Sequence, residues 1–138
     1  MRILALDLGE KRIGLAVSDP MEILATGLPT LDRRSLEEDI AALRKIIEER
    51  NVKKIILGFP KHMNGDVGEK ANESIQFKDL LESRFKVPVE LLDERWTTVM
   101  AKKLLVEANV SWQKGKGKID QIAAQLILEN YLERQKNK

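Results

Sequence analysis

The 138-residue sequence predicts an α/β fold: a mixed five-stranded sheet with helices on both faces, in the order βββαβαβαα. Two observations predict it. The N-terminal part holds apolar segments in hairpin succession. The remainder alternates short apolar runs with amphipathic stretches at helical spacing.

The elements follow in order. Residues 2–8 (RILALDL) and 12–18 (RIGLAVS) read as strands, with Gly9-Glu10-Lys11-Arg12 as the link of a hairpin. A third strand over 22–31 is weakened by Gly27 and Pro29. Ser35 and Glu38 make a capping box, and Leu36, Ile40, Leu43 and Ile47 mark the buried stripe of the helix that follows. A short strand at 54–57 ends in Gly58-Phe59-Pro60, and 61–68 carries the turn signal Asn64-Gly65. A helix near 70–85 turns Phe77, Leu80 and Leu81 inward, and 87–92 is a further strand. Helices near 98–108 and 118–134 close the chain. Their apolar sets are Met100, Ala101, Leu104, Leu105 and Ala108, then Ile119, Ile122, Ala123, Leu126, Ile127 and Tyr131.

The length suits one domain over 1–138, large enough to bury a core without staples. Hydrophobic content of 43% with 33% charged residues describes a globular protein and not a disordered one. No apolar run approaches the roughly 20 residues that span a bilayer. The apolar N-terminus runs straight into Asp7 and Glu10 with no small-residue cleavage site, so it reads as a mature strand of a cytoplasmic protein. The absence of cysteine excludes disulfides, thiolate metal sites and cysteine nucleophiles, and fits a reducing cytosol. The net charge of +2 does not by itself indicate nucleic acid; any such partner must be argued locally.

Five features carry candidate chemistry. Asp7 interrupts an apolar strand, where a lone carboxylate is costly, so a metal ion, a cation or backbone donors must compensate it. The alternative is that Asp7 caps the turn that follows. In Asp7-Leu8-Gly9-Glu10-Lys11-Arg12-Ile13-Gly14, Gly9 permits a tight turn and Gly14 permits close approach to the second strand, though both also serve as ordinary packing glycines. Asp93-Glu94-Arg95, with Thr97 and Thr98, follows a strand, where ligands of open α/β sheets bind. Strand alternation sends only one of the two acids to a common site. The competing reading is a surface Asp-Arg pair and a Thr helix cap. Asp120 opens the last helix, where the dipole also favours an acid. The preceding segment, with Trp112, Lys114, Lys116 and Lys118 interleaved with Gly115 and Gly117, reads as a flexible basic loop suited to phosphates and an unstacked base, or as a plain solvated connection. The stretch from Gly58 to Gly65 either offers amides to a phosphate or is a simple turn, and its His62, the single histidine, reads as an exposed loop residue.

Together these motifs resemble the YqgF family, the RuvX-type Holliday-junction resolvases, over nearly the whole chain. The resemblance rests on Asp7-Leu8-Gly9 with Lys11-Arg12-Ile13-Gly14 and Ser18-Asp19, and on Gly58-Phe59-Pro60 with Asn64-Gly65. It continues in Asp93-Glu94-Arg95 with Thr97-Thr98, and in Asp120 with Ala123-Ala124 and Tyr131-Leu132. It implies an RNase H-like fold, whose element order is the one above, and a nuclease acting on phosphodiesters. It further implies processing of the end of precursor small-subunit ribosomal RNA, free or in a pre-ribosomal particle, with cleavage of branched DNA as the older alternative. Asp7, Glu94 and Asp120 become the candidate catalytic and metal-binding carboxylates, with Asp93 as substitute for Glu94. Lys11, Arg12, Arg95, Trp112, Lys114, Lys116 and Lys118 become the nucleic-acid contacts. Mg²⁺ suits such a set, because it takes a few hard oxygen ligands and keeps its waters; Mn²⁺ should substitute. No membrane partner is expected, and a homodimer is left open. Two other readings compete: one half of an actin-like ATPase, which shares the element order and a DLG-type phosphate turn, and a non-catalytic RNA-binding assembly factor.

Overall fold

A computed structural model describes residues 1–9, 11–59, 69–93 and 112–136. Its elements are β1 Arg2–Leu8, β2 Arg12–Ser18, β3 Ala25–Asp32, α1 Leu36–Arg50, β4 Val52–Phe59, α2 Glu69–Phe85, β5 Val89–Asp93 and α3 Trp112–Lys136. The expected helix at 98–108 lies outside the described residues. The other elements appear in the expected order.

The five strands form one sheet in the order β3-β2-β1-β4-β5. β1 pairs antiparallel with β2 and β2 with β3, whereas β4 runs parallel to β1 and β5 parallel to β4. The sheet is therefore mixed, as hairpins followed by helical crossovers require. Both faces are covered. Leu4, Leu6, Ile13, Leu15, Ile55 and Leu57 pack on Ile40, Leu43 and Ile47 of α1 and on Phe77 and Leu81 of α2. Ile3, Ala5, Ala16, Ile56 and Leu92 pack on Ala124, Ile127, Leu128 and Tyr131 of α3. Burial on both faces explains why β1 and β4 read as near-continuous apolar runs. No helix among the described residues is long and apolar enough to cross a membrane.

Four local expectations are corrected. The third strand starts at Ala25 and not near 22, because residues 19–24 fold into a turn on the Asp19 carboxylate. That carboxylate accepts from the amides of Met21 at 3.1 Å, Ile23 at 2.8 Å and Leu24 at 2.7 Å. Leu36 does not belong to the buried stripe of α1. It is 49% exposed at the first helical position, and the stripe begins at Ile40. The strand expected at 54–57 extends over Val52–Phe59, since sheet pairing carries it past its apolar centre. The basic segment 112–118 is not a flexible loop but the first two turns of α3. A helix propagates at little cost once nucleated, and each of the two glycines opposes it by only about 1 kcal/mol. The Ser35 cap is as expected: its side chain accepts from the Glu38 amide at 3.1 Å.

Candidate active site

Asp7 sits at the carboxyl end of β1 and is 6% exposed. Its strand partners are Gly14 on β2 and Gly58 on β4, so a glycine flanks it on either side. Alternation along the strands puts all three on one face. Ile3 and Ala5 lead to Asp7, Ala16 neighbours Gly14 and Ile56 neighbours Gly58, and the three apolar sets belong to the layer under α3. The apolar strand thus delivers Asp7 beneath the last helix.

Gly14 decides how close that helix comes. A Cβ there would overlap the backbone carbonyl of Asp120, so the turn of α3 that carries Asp120 rests directly on β2 beside Asp7. A close-approach glycine and an acid more than 100 positions later in the chain serve one contact. Gly27, further along the same side, lies under the flexible Gln121 side chain, its virtual Cβ 2.7 Å from Cγ. Asp7 and Asp120 each engage other groups of the chain.

The third strand end arrives from the other side. β5 finishes at Asp93, which pairs with Phe59, the neighbour of Gly58. The carboxyl ends of β1, β4 and β5 therefore stand side by side. Asp7, Asp120 and the end of β5 converge although they are far apart in sequence. Glu94 and Arg95 lie outside the described residues, as do the 60–68 segment and its His62.

The basic candidates divide between two places. Lys11 is exposed in the β1–β2 turn, and Arg12, at the start of β2, has its Nε 3.6 Å from an Asp32 oxygen. Trp112, Lys114, Lys116 and Lys118 occupy backbone positions in the first turns of α3. Lys116 is one turn ahead of Asp120, while Lys114 and Lys118 are four apart on another side of the helix.

Three roles escaped the sequence reading. Asp19 in the Ser18-Asp19 pair builds a turn and is not part of the site. The Leu24 amide above all, with those of Ile23 and Met21, holds its carboxyl below the ordinary carboxylate value. Ser18, buried, accepts from the Ile3 amide at 2.9 Å and ties the start of β1 to the end of β2. Arg33, which no motif marked, donates from Nη1 to the Gly9 carbonyl at 2.7 Å and so touches the turn next to Asp7.

A family model described as "RuvX: Holliday junction resolvase" matches residues 1–134. The chain belongs to the RuvX family. It is accordingly a nuclease, a hydrolase acting on ester bonds. Among its RuvX relatives is a protein of Clostridium novyi (strain NT) named "Putative pre-16S rRNA nuclease". It is 48% identical over 133 residues, which are 96% of this chain and 98% of the relative. A relative of the same name from Natranaerobius thermophilus is 47% identical over 138 residues, with 100% of this chain and 98% of the relative covered. Thermus thermophilus RuvC, solved in complex with a Holliday junction substrate, matches with a TM-score of 0.59 over 98% of this chain and 96% of that one. At 12% identity that likeness establishes a shared RNase H-like fold. Membership of the RuvX family sets aside the actin-like reading of the first hairpin.

Proposed function

We propose that this nuclease hydrolyses phosphodiester bonds at the end of precursor small-subunit ribosomal RNA, with Mg²⁺ held by Asp7, Glu94 and Asp120. The observation that carries the site is the buried Asp7 between Gly14 and Gly58, with the Asp120 turn of α3 seated on Gly14. The donor set fits a hard cation: carboxylates from separate elements offer oxygen ligands, and Mg²⁺ keeps several of its waters. When bound, such an ion lowers the pKa of a water and neutralises charge on the leaving oxygen. The chain's own part is to aim the acids and to hold the strand. Leu92 packs under α3, on the face of Asp7, and Leu91 on the opposite layer, so alternation puts position 93 on the face away from Asp7. The choice of Glu94 itself comes from the family resemblance. Lys11, Arg12, Arg95 and the α3 segment with Trp112, Lys114, Lys116 and Lys118 hold the nucleic-acid backbone. Residues 1–138 act as one catalytic domain in the cytoplasm, on free precursor RNA or on a pre-ribosomal particle.

The RNA substrate is taken from the names of the RuvX relatives. The family description and the fold shared with RuvC favour a second substrate, branched DNA. Incubation with Mg²⁺, against an EDTA control, of a precursor RNA end and of a four-way DNA junction compares the two. Metal-dependent cleavage of the RNA with the junction intact is expected. Cleavage of the junction alone would transfer the site to branched DNA, and cleavage of neither would leave a non-catalytic assembly factor.

A further inference from the structure

The β1–β2 turn leaves the sheet directly after Asp7-Leu8, and one side chain from elsewhere in the chain fastens it. Arg33, between β3 and α1, donates from Nη1 to the Gly9 carbonyl at 2.7 Å and to Glu73 Oε1 of α2 at 3.1 Å. Its backbone amide donates to the Lys11 carbonyl at 2.8 Å, so the turn is held by one residue at two carbonyls. Within the turn the Gly9 amide donates to Arg12 at 2.9 Å, and a Cβ on Gly9 would sit 2.7 Å from that same Arg12 oxygen. Gly9 and Arg12 are thus held close together across the turn. The Arg33 guanidinium also reaches α2, so one charged group joins the β1–β2 turn to that helix.

We propose that Arg33 is a positioning residue for substrate: it fixes the β1–β2 turn so that Lys11 and Arg12 meet the nucleic-acid backbone in register with Asp7. This rests on the nuclease reading of the same site. Both described side-chain hydrogen bonds of Arg33, each from Nη1, go to protein acceptors, and through them it acts on the turn. Asp7 is held independently, by its pairing with Gly14 and Gly58. Loss of the clamp therefore weakens binding and spares the carboxylates. The fold tolerates the loss as well. The Arg33 side chain is 24% exposed, and it borders an open cavity of about 170 Å³ shared with Leu36, Gln76 and Leu80, so its removal leaves no sealed void.

The test compares Arg33→Ala, Arg33→Lys and Glu73→Gln with the wild-type protein. Three readouts are used: hydrogen exchange of the Gly9 amide, equilibrium binding of a fluorescent RNA oligonucleotide in EDTA, and single-turnover cleavage at saturating RNA with Mg²⁺. Arg33→Ala should exchange the Gly9 amide about tenfold faster and bind RNA about tenfold more weakly. Its cleavage rate at saturation should stay within about threefold of wild type, because misplacement of a binding group costs affinity first. Arg33→Lys, which can still reach the Gly9 carbonyl, should recover part of the affinity, and Glu73→Gln, which keeps an acceptor oxygen, should resemble wild type. Unchanged exchange and unchanged affinity in Arg33→Ala would overturn the proposal. So would a loss of cleavage rate at unchanged affinity. If the wild-type protein binds the oligonucleotide but does not cleave it, the nuclease reading fails, and the exchange and binding data still decide the role of Arg33.

Discussion

Asp7 is a carboxylate on a strand whose other inward residues are apolar, and the fold surrounds it with glycine on both sides. Asp7→Asn keeps the shape and removes the charge. It should reduce nuclease activity to background, while the circular dichroism spectrum and melting temperature stay near the wild-type values, because Asn fills the same space as Asp. Cleavage at the wild-type rate would take Asp7 out of the mechanism. Asp93 and Glu94 can be separated in the same assay. Glu94→Gln should lower the rate at least about tenfold more than Asp93→Asn, as expected when one carboxylate touches the metal and its neighbour on the strand does not. The reverse order would make Asp93 the ligand.

At the scale of the element, the position of α3 on the sheet depends on a missing side chain. Gly14→Ala introduces a methyl group where the Asp120 carbonyl lies, so α3 must lift. A cost of about 1–3 kcal/mol is expected from such overpacking, together with a large loss of activity as Asp120 moves. Gly27→Ala is the matched control. Its methyl group meets the movable Gln121 side chain, and both stability and activity should stay near wild type. Equal behaviour of the two variants in thermal melts and cleavage assays would refute the close-approach role of Gly14. The same helix revises the expectation for the lysines. On a helix, Lys116 lies roughly 200° around from Lys114 and Lys118, so one strand of RNA does not meet all three. Replacing all three by Ala should make the slope of log affinity against log salt shallower by about 0.7–1.4, the equivalent of one or two phosphates, and should leave the saturated cleavage rate largely intact. Salt titrations giving an unchanged slope would place the RNA path along Arg12 and Arg95 instead.

Across the whole molecule, exposed carboxylates hold contacts within a turn, within a helix and between two helices. Hydrogen bonding from Arg84 lowers the Glu37 pKa and joins α1 to α2; Lys78 lowers that of Glu82; the Leu24 amide lowers that of Asp19. Each folded pKa lies below its ordinary value of 3.8 for Asp or 4.5 for Glu. Each group therefore contributes stability that is fully present above the ordinary value and is lost as pH falls through the folded one. Urea midpoints should hold steady near neutrality and decline below about pH 4.5, and Asp19→Asn should show a smaller decline than wild type. A midpoint in Asp19→Asn that falls as steeply as in the wild-type protein would remove Asp19 from this account. At the basic end, burial pulls the Lys54 pKa down, but its hydrogen bonds to the Tyr131 hydroxyl, 2.6 Å away, and to Glu90 outweigh it and hold the group above its ordinary value. This contact fastens the far end of α3 to the sheet, opposite the end that carries Asp120.

Local signals were enough for the order of the described elements, the Ser35 cap and the stripe Ile40-Leu43-Ile47, because each depends on residue type at short spacing. They were also enough to single out Asp7, since a carboxylate in an apolar strand is anomalous before any fold is known. Other features depended on partners remote in sequence. The glycine at 58 beside Asp7, the seat of Asp120 on Gly14, and the reach of Arg33 to Gly9 all follow from strand order and helix placement. Spacing along the chain carries no trace of them. The lysines of 114–118 show the same limit in the other direction. Two glycines suggested a loop, but the length of a helix is settled by the balance between a small local cost and propagation from a packed stripe. The sequence by itself determined which residues are chemically unusual. The tertiary structure decided which of them meet, because convergence is a property of pairing and packing over distances that local preference does not sense.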